Sequence, residues 1–153
     1  MRVLVTGSSG WLGRTLVPRL NAAGYEVIGL DPVASSFTDV VGTVADRALV
    51  REICARHEIE GILHCGALHK PHVATHPADA FVQTNVQGTL NLLDAAVAAG
   101  SRVGRMVFTS TTSLMISGRF REQVRQTAQS RVDHRAVRTA RAAQHLRGHQ
   151  ARR

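Results

Sequence analysis

The chain is poor in aromatic residues, cysteine and lysine, and it has no long apolar run. Aromatic side chains make up 4% of its 153 residues, with one Trp and one Tyr. That scarcity excludes a surface of repeated stacking platforms for single-stranded nucleic acid. The two cysteines, Cys54 and Cys65, have neither metal-ligand nor redox-motif spacing. They read as buried free thiols in a reducing compartment, not as a disulfide framework. No stretch approaches the roughly 18 apolar residues of a membrane span. The N-terminus enters a strand-like pattern directly, without an apolar signal region and cleavage site. These absences together lead to the expectation of a cytoplasmic chain with no membrane partner. Tyr25 and Lys70 are the only tyrosine and the only lysine.

Acidic residues are scarce at one end only. The net charge is +8, yet residues 1–118 hold nine Lys/Arg and nine Asp/Glu. Residues 119–153 hold ten Arg against Glu122 and Asp133, so the whole excess belongs to an Arg-rich tail. The tail has Phe120 as its only aromatic and no alternation of stacking and charged groups, which argues against nucleic acid as a partner. With 44% hydrophobic residues, the body is long enough for one ordinary core.

Along the body, short apolar runs alternate with helical periodicities. Val3–Val5, Glu26–Leu30, a short stretch near Val40, Gly61–His64 and Val103–Thr109 read as strands. Leu12, Leu16 and Leu20 recur at helical spacing, as do Leu49, Ile53 and Cys54 within Ala45–His57. Ala78–Ala99 is the longest helical pattern, with Phe81, Val82, Val86, Leu90, Leu93 and Val97 as its expected buried stripe. Strands alternating with helices imply βαβ crossovers. The expected fold is a Rossmann-type α/β domain over 1–118: a doubly wound parallel sheet of about five strands in the order 3-2-1-4-5. Residues 119–153 offer no sustained apolar face and are expected to form a loosely packed helix or irregular tail.

Gly7, Gly10 and Gly13 fall between the first strand and the first helix. There the missing Cβ atoms let the backbone approach a pyrophosphate, and the helix N-terminus offers free N–H groups. Asp31 ends the second strand about 20 residues on, where a carboxylate can accept the adenosine ribose hydroxyls and repel a 2′-phosphate. The cofactor expected is therefore NAD. Asp31 before Pro32 can also be a turn former. Trp11 is expected to pack over the glycine turn. His69, His72 and His76 flank Pro71 and Pro77 without a carboxylate or cysteine to complete a ligand set, and no metal is expected. His64 and Cys65 read as core residues, not a nucleophilic pair.

T-G-x-x-G-x-x-G at Thr6–Gly13, HCGA at His64–Ala67, TNVQGTLNLLDAA at Thr84–Ala96 and VFTSTTS at Val107–Ser113 occur in the order and spacing of one family. The chain resembles an extended short-chain dehydrogenase/reductase of the NAD-dependent epimerase/dehydratase family. The resemblance implies a nucleotide-sugar or related substrate, hydride transfer to NAD, and a homodimer built on two long helices. By position it implies cofactor contacts from Gly7, Ser9, Gly10, Trp11, Leu12, Gly13, Asp31, Gly66 and Ala67, with Asn85 bracing the long helix beside them. Thr111 falls at the family's catalytic Ser/Thr. Thr43 stands where the family often has an acid near the adenine.

The family's chemistry also needs a Tyr-x-x-x-Lys pair, one helical turn apart, as general acid/base and its partner. Tyr25 and Lys70 both precede Thr111 and cannot form it. Read one frame over, the codons of Gln144–Gln150 permit Asn-Ile-Tyr-Gly-Val-Thr-Lys, which contains the missing pair. The tail is therefore expected to be a frameshifted or truncated continuation of an epimerase/dehydratase. The chain would then hold the NAD-binding portion and be inactive. The alternative is a non-catalytic NAD-binding regulatory module.

Overall fold

The structure is a computed structural model that describes residues 1–111, 119, 122, 123 and 125–127. It divides into two units, Met1–Thr109 and Ser110–Arg153. In the second, Arg119, Glu122, Gln123 and Arg125–Thr127 are helical and exposed. Helical i,i+4 hydrogen bonds run there from Gln126 to Glu122 and from Thr127 to the Gln123 carbonyl. The expected loosely packed tail otherwise lies outside the described residues.

The first unit begins with β1 (Arg2–Thr6), α1 (Trp11–Ala22), β2 (Glu26–Asp31), β3 (Val40–Val41), α2 (Arg47–Arg56) and β4 (Gly61–His64). A 3-10 turn over Lys70–Ala74 leads to α3 (Ala78–Phe81), a π turn over Val82–Gln87, α4 (Gly88–Ala98) and β5 (Arg105–Phe108). All pairings are parallel, in the order β3-β2-β1-β4-β5, the order expected from the sequence. The strand order reverses between β1 and β4. A crevice opens at the carboxyl ends of the strands at such a switch point.

Alternation along β1 distributes the core to both faces of the sheet. Val3 and Val5 pack with Val17 of α1. Leu4 joins Ile28, Leu30, Ile53, Ile62, Leu92 and Ala95 on the face covered by α2 and α4. Thr6 and His64 share this second face by the same period and sit in register across the β1–β4 pair. Helix α2 starts where the Asp46 carboxylate accepts the Leu49 N–H at 3.0 Å. Its charged N-cap therefore satisfies a first-turn donor.

Two expectations about the long helical region are corrected. It is not one continuous α-helix, because the π turn interrupts it at Val82–Gln87. The expected stripe also faces outward: Val82, Val86, Leu90, Leu93 and Val97 are exposed, and Phe81 is half-buried. Gly88, Asn91, Leu92 and Ala95 line the buried face instead. A Cβ on Gly88 would press into Val44, so this small residue lets α4 lie close to the chain before α2. The helix is apolar on both faces, and periodicity alone does not say which one meets the sheet. Among the described residues, no helix is long and apolar enough to cross a membrane.

Gly7 has a φ of +70°, and a Cβ there would lie 2.7 Å from the Gly66 backbone. Gly7→Ala is expected to destabilise the chain by about 2 kcal/mol or more, since a left-handed backbone costs roughly 1–2 kcal/mol and overpacking roughly 1–3 kcal/mol. Gly104→Ala, whose Cβ would meet nothing within 4 Å, should leave urea unfolding unchanged within about 0.5 kcal/mol.

Candidate functional site

The crevice is built by the turn after β1 crossing the segment after β4. The three motif glycines serve three different contacts. At Gly7 the turn crosses Gly66, and at Gly13 a Cβ would clash with the Gly7 carbonyl and the Ser8 backbone, so both are needed for the chain to pack on itself. Gly10 is different: a Cβ there would touch only the Gly7 carbonyl oxygen, at 3.1 Å, and the residue is otherwise exposed. Gly10 is also the N-cap of α1, with no side-chain cap and no acid in the first turn. The first-turn N–H groups, those of Trp11, Leu12 and Gly13, therefore have neither intrahelical partners nor a capping side chain. Their partial positive charge faces the opening.

Asp31 closes one side. It is only 7% exposed. Its carboxylate accepts the Ser9 N–H at 3.0 Å and the Val33 N–H at 2.8 Å. The second bond is an Asx turn, so Asp31 does form a turn while also joining β2 to the glycine turn. The Ser9 hydroxyl lies 2.7 Å from Ser35 Oγ and 2.6 Å from Thr38 Oγ1, within reach of the Val33 carbonyl. A cluster of hydroxyls thereby holds the loop after β2 against the turn. Thr43 is exposed, and its hydroxyl accepts the Ala45 N–H at 3.2 Å in a local turn.

On the other side, Asn85 lies in the π turn. Its amide donates to the Leu68 carbonyl and accepts the Leu68 N–H, both at 2.8 Å. Ala67 is exposed between Gly66 and Leu68. The expected cofactor residues of the first unit thus fall into three joined groups: Gly7 to Gly13, Asp31, and Gly66–Ala67 with Asn85. Thr111 is exposed and belongs to the second unit.

The expectation that Trp11 packs over the turn is overturned. Its side chain is 88% exposed. Gly13 and Val17 define the inner face of α1, and Trp11 lies about 200° around the helix from Gly13. The histidine loop is held by its own contacts. His72 Nδ1 accepts the His69 N–H at 2.9 Å, and the His69, His72 and His76 rings meet edge-on at 4.8 and 5.5 Å. Among the described residues, no three His, Cys, Asp or Glu side chains are placed to hold a metal.

Sequence reasoning missed Thr6 and Thr89, which hold His64 between them, 2.6 Å and 3.1 Å from its two ring nitrogens. The spacing Asn85-x-x-x-Thr89 could have flagged the helical partner, since residues four apart share a helix face. Burial pushes the Cys65 thiol up, partly offset by the Thr109 hydroxyl, which disfavours a thiolate beside His64.

A profile of the NAD dependent epimerase/dehydratase family matches residues 3–145. The chain belongs to that family. It is 34% identical over 116 residues to a UDP-glucose 4-epimerase of Rhizobium meliloti, covering 71% of this chain and 35% of that one. A short-chain dehydrogenase/reductase superfamily protein of Agrobacterium tumefaciens, solved with bound NAD, shares 37% identity at a TM-score of 0.61. It covers 73% of this chain and 33% of that one. The UDP-glucose 4-epimerase of Thermotoga maritima, solved with UDP-glucose, shares 28% identity at a TM-score of 0.64, over 72% of this chain and 38% of that one. The chain thus spans about a third of the length of these relatives.

Burial also holds the His64 pKa below the ordinary imidazole value. The unfolded chain then binds a proton that the folded chain resists. The stability this site contributes is full above the unfolded value of about 6.5 and is lost as pH falls from there toward the depressed folded value. Urea midpoints measured from pH 8 to 5 should drop more steeply on the acid side than those of His64→Gln, which has no such proton to take up.

Proposed function

We propose that this chain is the NAD-binding portion of a nucleotide-sugar epimerase or dehydratase, and that it does not turn over substrate by the family mechanism. The observation that carries the reading is Gly10. It is the one motif glycine whose missing side chain leaves space on the outside of the turn, at an uncapped helix N-terminus. The donor set fits a dinucleotide. The first-turn N–H groups of α1 would take the pyrophosphate, Asp31 the adenosine ribose, and Gly66 and Ala67 would line the cofactor with Asn85 behind them. NAD supplies a reversible hydride acceptor when bound. A nucleotide sugar as the family's small-molecule substrate is supported by the relatives named above. The outward apolar stripe of the long helical region is a surface that a second copy could cover, as a homodimer requires. A cytoplasmic location fits the same reading.

Trp11, the single tryptophan, lies exposed beside Gly10 and provides the reporter. Titration with NAD is expected to change its fluorescence saturably, and NADP should bind more weakly because its 2′-phosphate would meet the Asp31 charge. Gly10→Val should abolish the change. Asp31→Asn keeps a side-chain acceptor for the turn and should narrow the gap between the two cofactors. Equal binding of NAD and NADP by the unmutated chain would remove Asp31 from the ribose.

Thr111, at the family's catalytic Ser/Thr position, can hydrogen-bond a substrate hydroxyl but cannot take its proton without a nearby base. General acid–base catalysis is typically worth about 10²–10⁴-fold. With NAD and UDP-glucose, the chain should therefore leave the sugar at background, as read by NMR of the anomeric and C4 protons. The absent Tyr-x-x-x-Lys pair equally favours a non-catalytic NAD-binding regulatory module. Sequencing the gene across codons 110–153 separates the two. A second frame encoding Tyr three residues before the residue preceding Lys, with no early stop, favours the enzyme.

A further inference from the structure

The His64 imidazole is 2% exposed and bonded through both ring nitrogens, and the proton positions follow from the partners. The Thr89 hydroxyl donates its only proton to the Asn85 carbonyl at 2.7 Å. Toward His64 Nε2, 3.1 Å away, Thr89 can therefore only accept, which puts the ring proton on Nε2. A neutral ring then has a bare Nδ1, so the Thr6 hydroxyl at 2.6 Å donates to it. The Thr6 oxygen in turn accepts the Gly66 N–H at 3.2 Å. The bonds run one way, from Gly66 through Thr6 to His64, and from His64 through Thr89 to Asn85. Asn85 then closes a ring by pairing with both backbone groups of Leu68. The segment Gly66-Ala67-Leu68 is tied at both ends, and only Ala67 between them is exposed. The Phe108 ring of β5 packs against the imidazole at 5.5 Å.

We propose that His64 is a positioning residue for the cofactor crevice. As a neutral imidazole protonated on Nε2, it joins β1 to the long helical region and so fixes the Gly66–Leu68 segment that crosses Gly7. It touches no ligand itself. Its effect on NAD rests on the cofactor reading given above, whereas its effect on the segment does not. An apolar side chain of similar volume would fill the space but could not carry the circuit. A glutamine offers one acceptor and one donor and could replace part of it.

The test uses the full chain without NAD first. Nitrogen NMR of the imidazole should show a pyridine-like Nδ1 and a pyrrole-like Nε2 at neutral pH. Amide hydrogen exchange at Gly66 and Leu68 should be slow, should accelerate at least tenfold in His64→Leu, and should be largely restored in His64→Gln. Thr89→Val, which cuts the circuit at the helix, should accelerate Leu68 similarly and serves if His64→Leu does not fold. NAD affinity, read from Trp11, should then follow the same order: native, Gln, Leu. A proton on Nδ1, or unchanged exchange in folded His64→Leu or Thr89→Val, would overturn the proposal. If NAD fails to bind the native chain while the exchange order holds, the cofactor reading falls and the positioning role stands.

Discussion

The backbone of Gly7 against the backbone of Gly66 is the contact on which the rest of the unit depends. Two strand ends meet there: Gly7 has no room for a side chain, and a Cβ on Gly66 would sit a tight 3.2 Å from the Gly7 nitrogen and the Thr6 hydroxyl. Because β1 and β4 are neighbours in the sheet while β2 and β3 extend the other way, the crossing falls where the strand order reverses. Bringing the two segments this close aligns the N-terminus of α1 with the crevice. It also brings Thr6 within reach of the Gly66 N–H. A methyl group at Gly7 would push the turn and the β4 segment apart, and the opening would lose its floor.

Around that contact the polar groups satisfy one another instead of waiting for a ligand. Asp31 binds the turn and its own loop, and the Ser9, Ser35 and Thr38 hydroxyls cluster beside it. The His64 circuit does the same on the other side of β1. Among the described residues, no buried side-chain nitrogen or oxygen lacks a partner. Leaving such a group unpaired would cost about 1–3 kcal/mol. The site is therefore held in shape before any cofactor arrives, which lowers the ordering cost of binding. At the opposite ends of the strands, Arg2 pairs with Glu26 and Glu58, and Glu60 accepts the Arg2 N–H. These exposed ion pairs mark the end of the sheet away from the crevice and add little to stability.

The long helical region leaves its most apolar face uncovered. Its inner face is made of Gly88, Asn91, Leu92 and Ala95, with Gly88 seated against Val44, while a longer aliphatic stripe looks out. On β5, Val107 and Phe108 are exposed as well. Apolar surface of this kind is expected where neighbouring elements or a second copy would pack.

Much of the architecture was legible from the residues alone. Apolar runs bounded by Gly24, by Asp31-Pro32 and by Gly100 mark the elements, and handedness rules then restrict a βαβ chain to few strand orders. The glycine spacing and Asp31 were readable because each answers a local backbone requirement. Only the tertiary structure decided which apolar face of α4 meets the sheet, since periodicity is blind to what lies opposite. Only it separated Gly7 and Gly13, which the protein needs for its own packing, from Gly10, which faces outward. The turn of Trp11 into solvent and the joining of Thr6, His64, Thr89 and Asn85 were also beyond the sequence. Those four residues come from β1, β4, the π turn and α4, up to 83 positions apart, and hydrogen bonds between them exist only after the sheet has set their register.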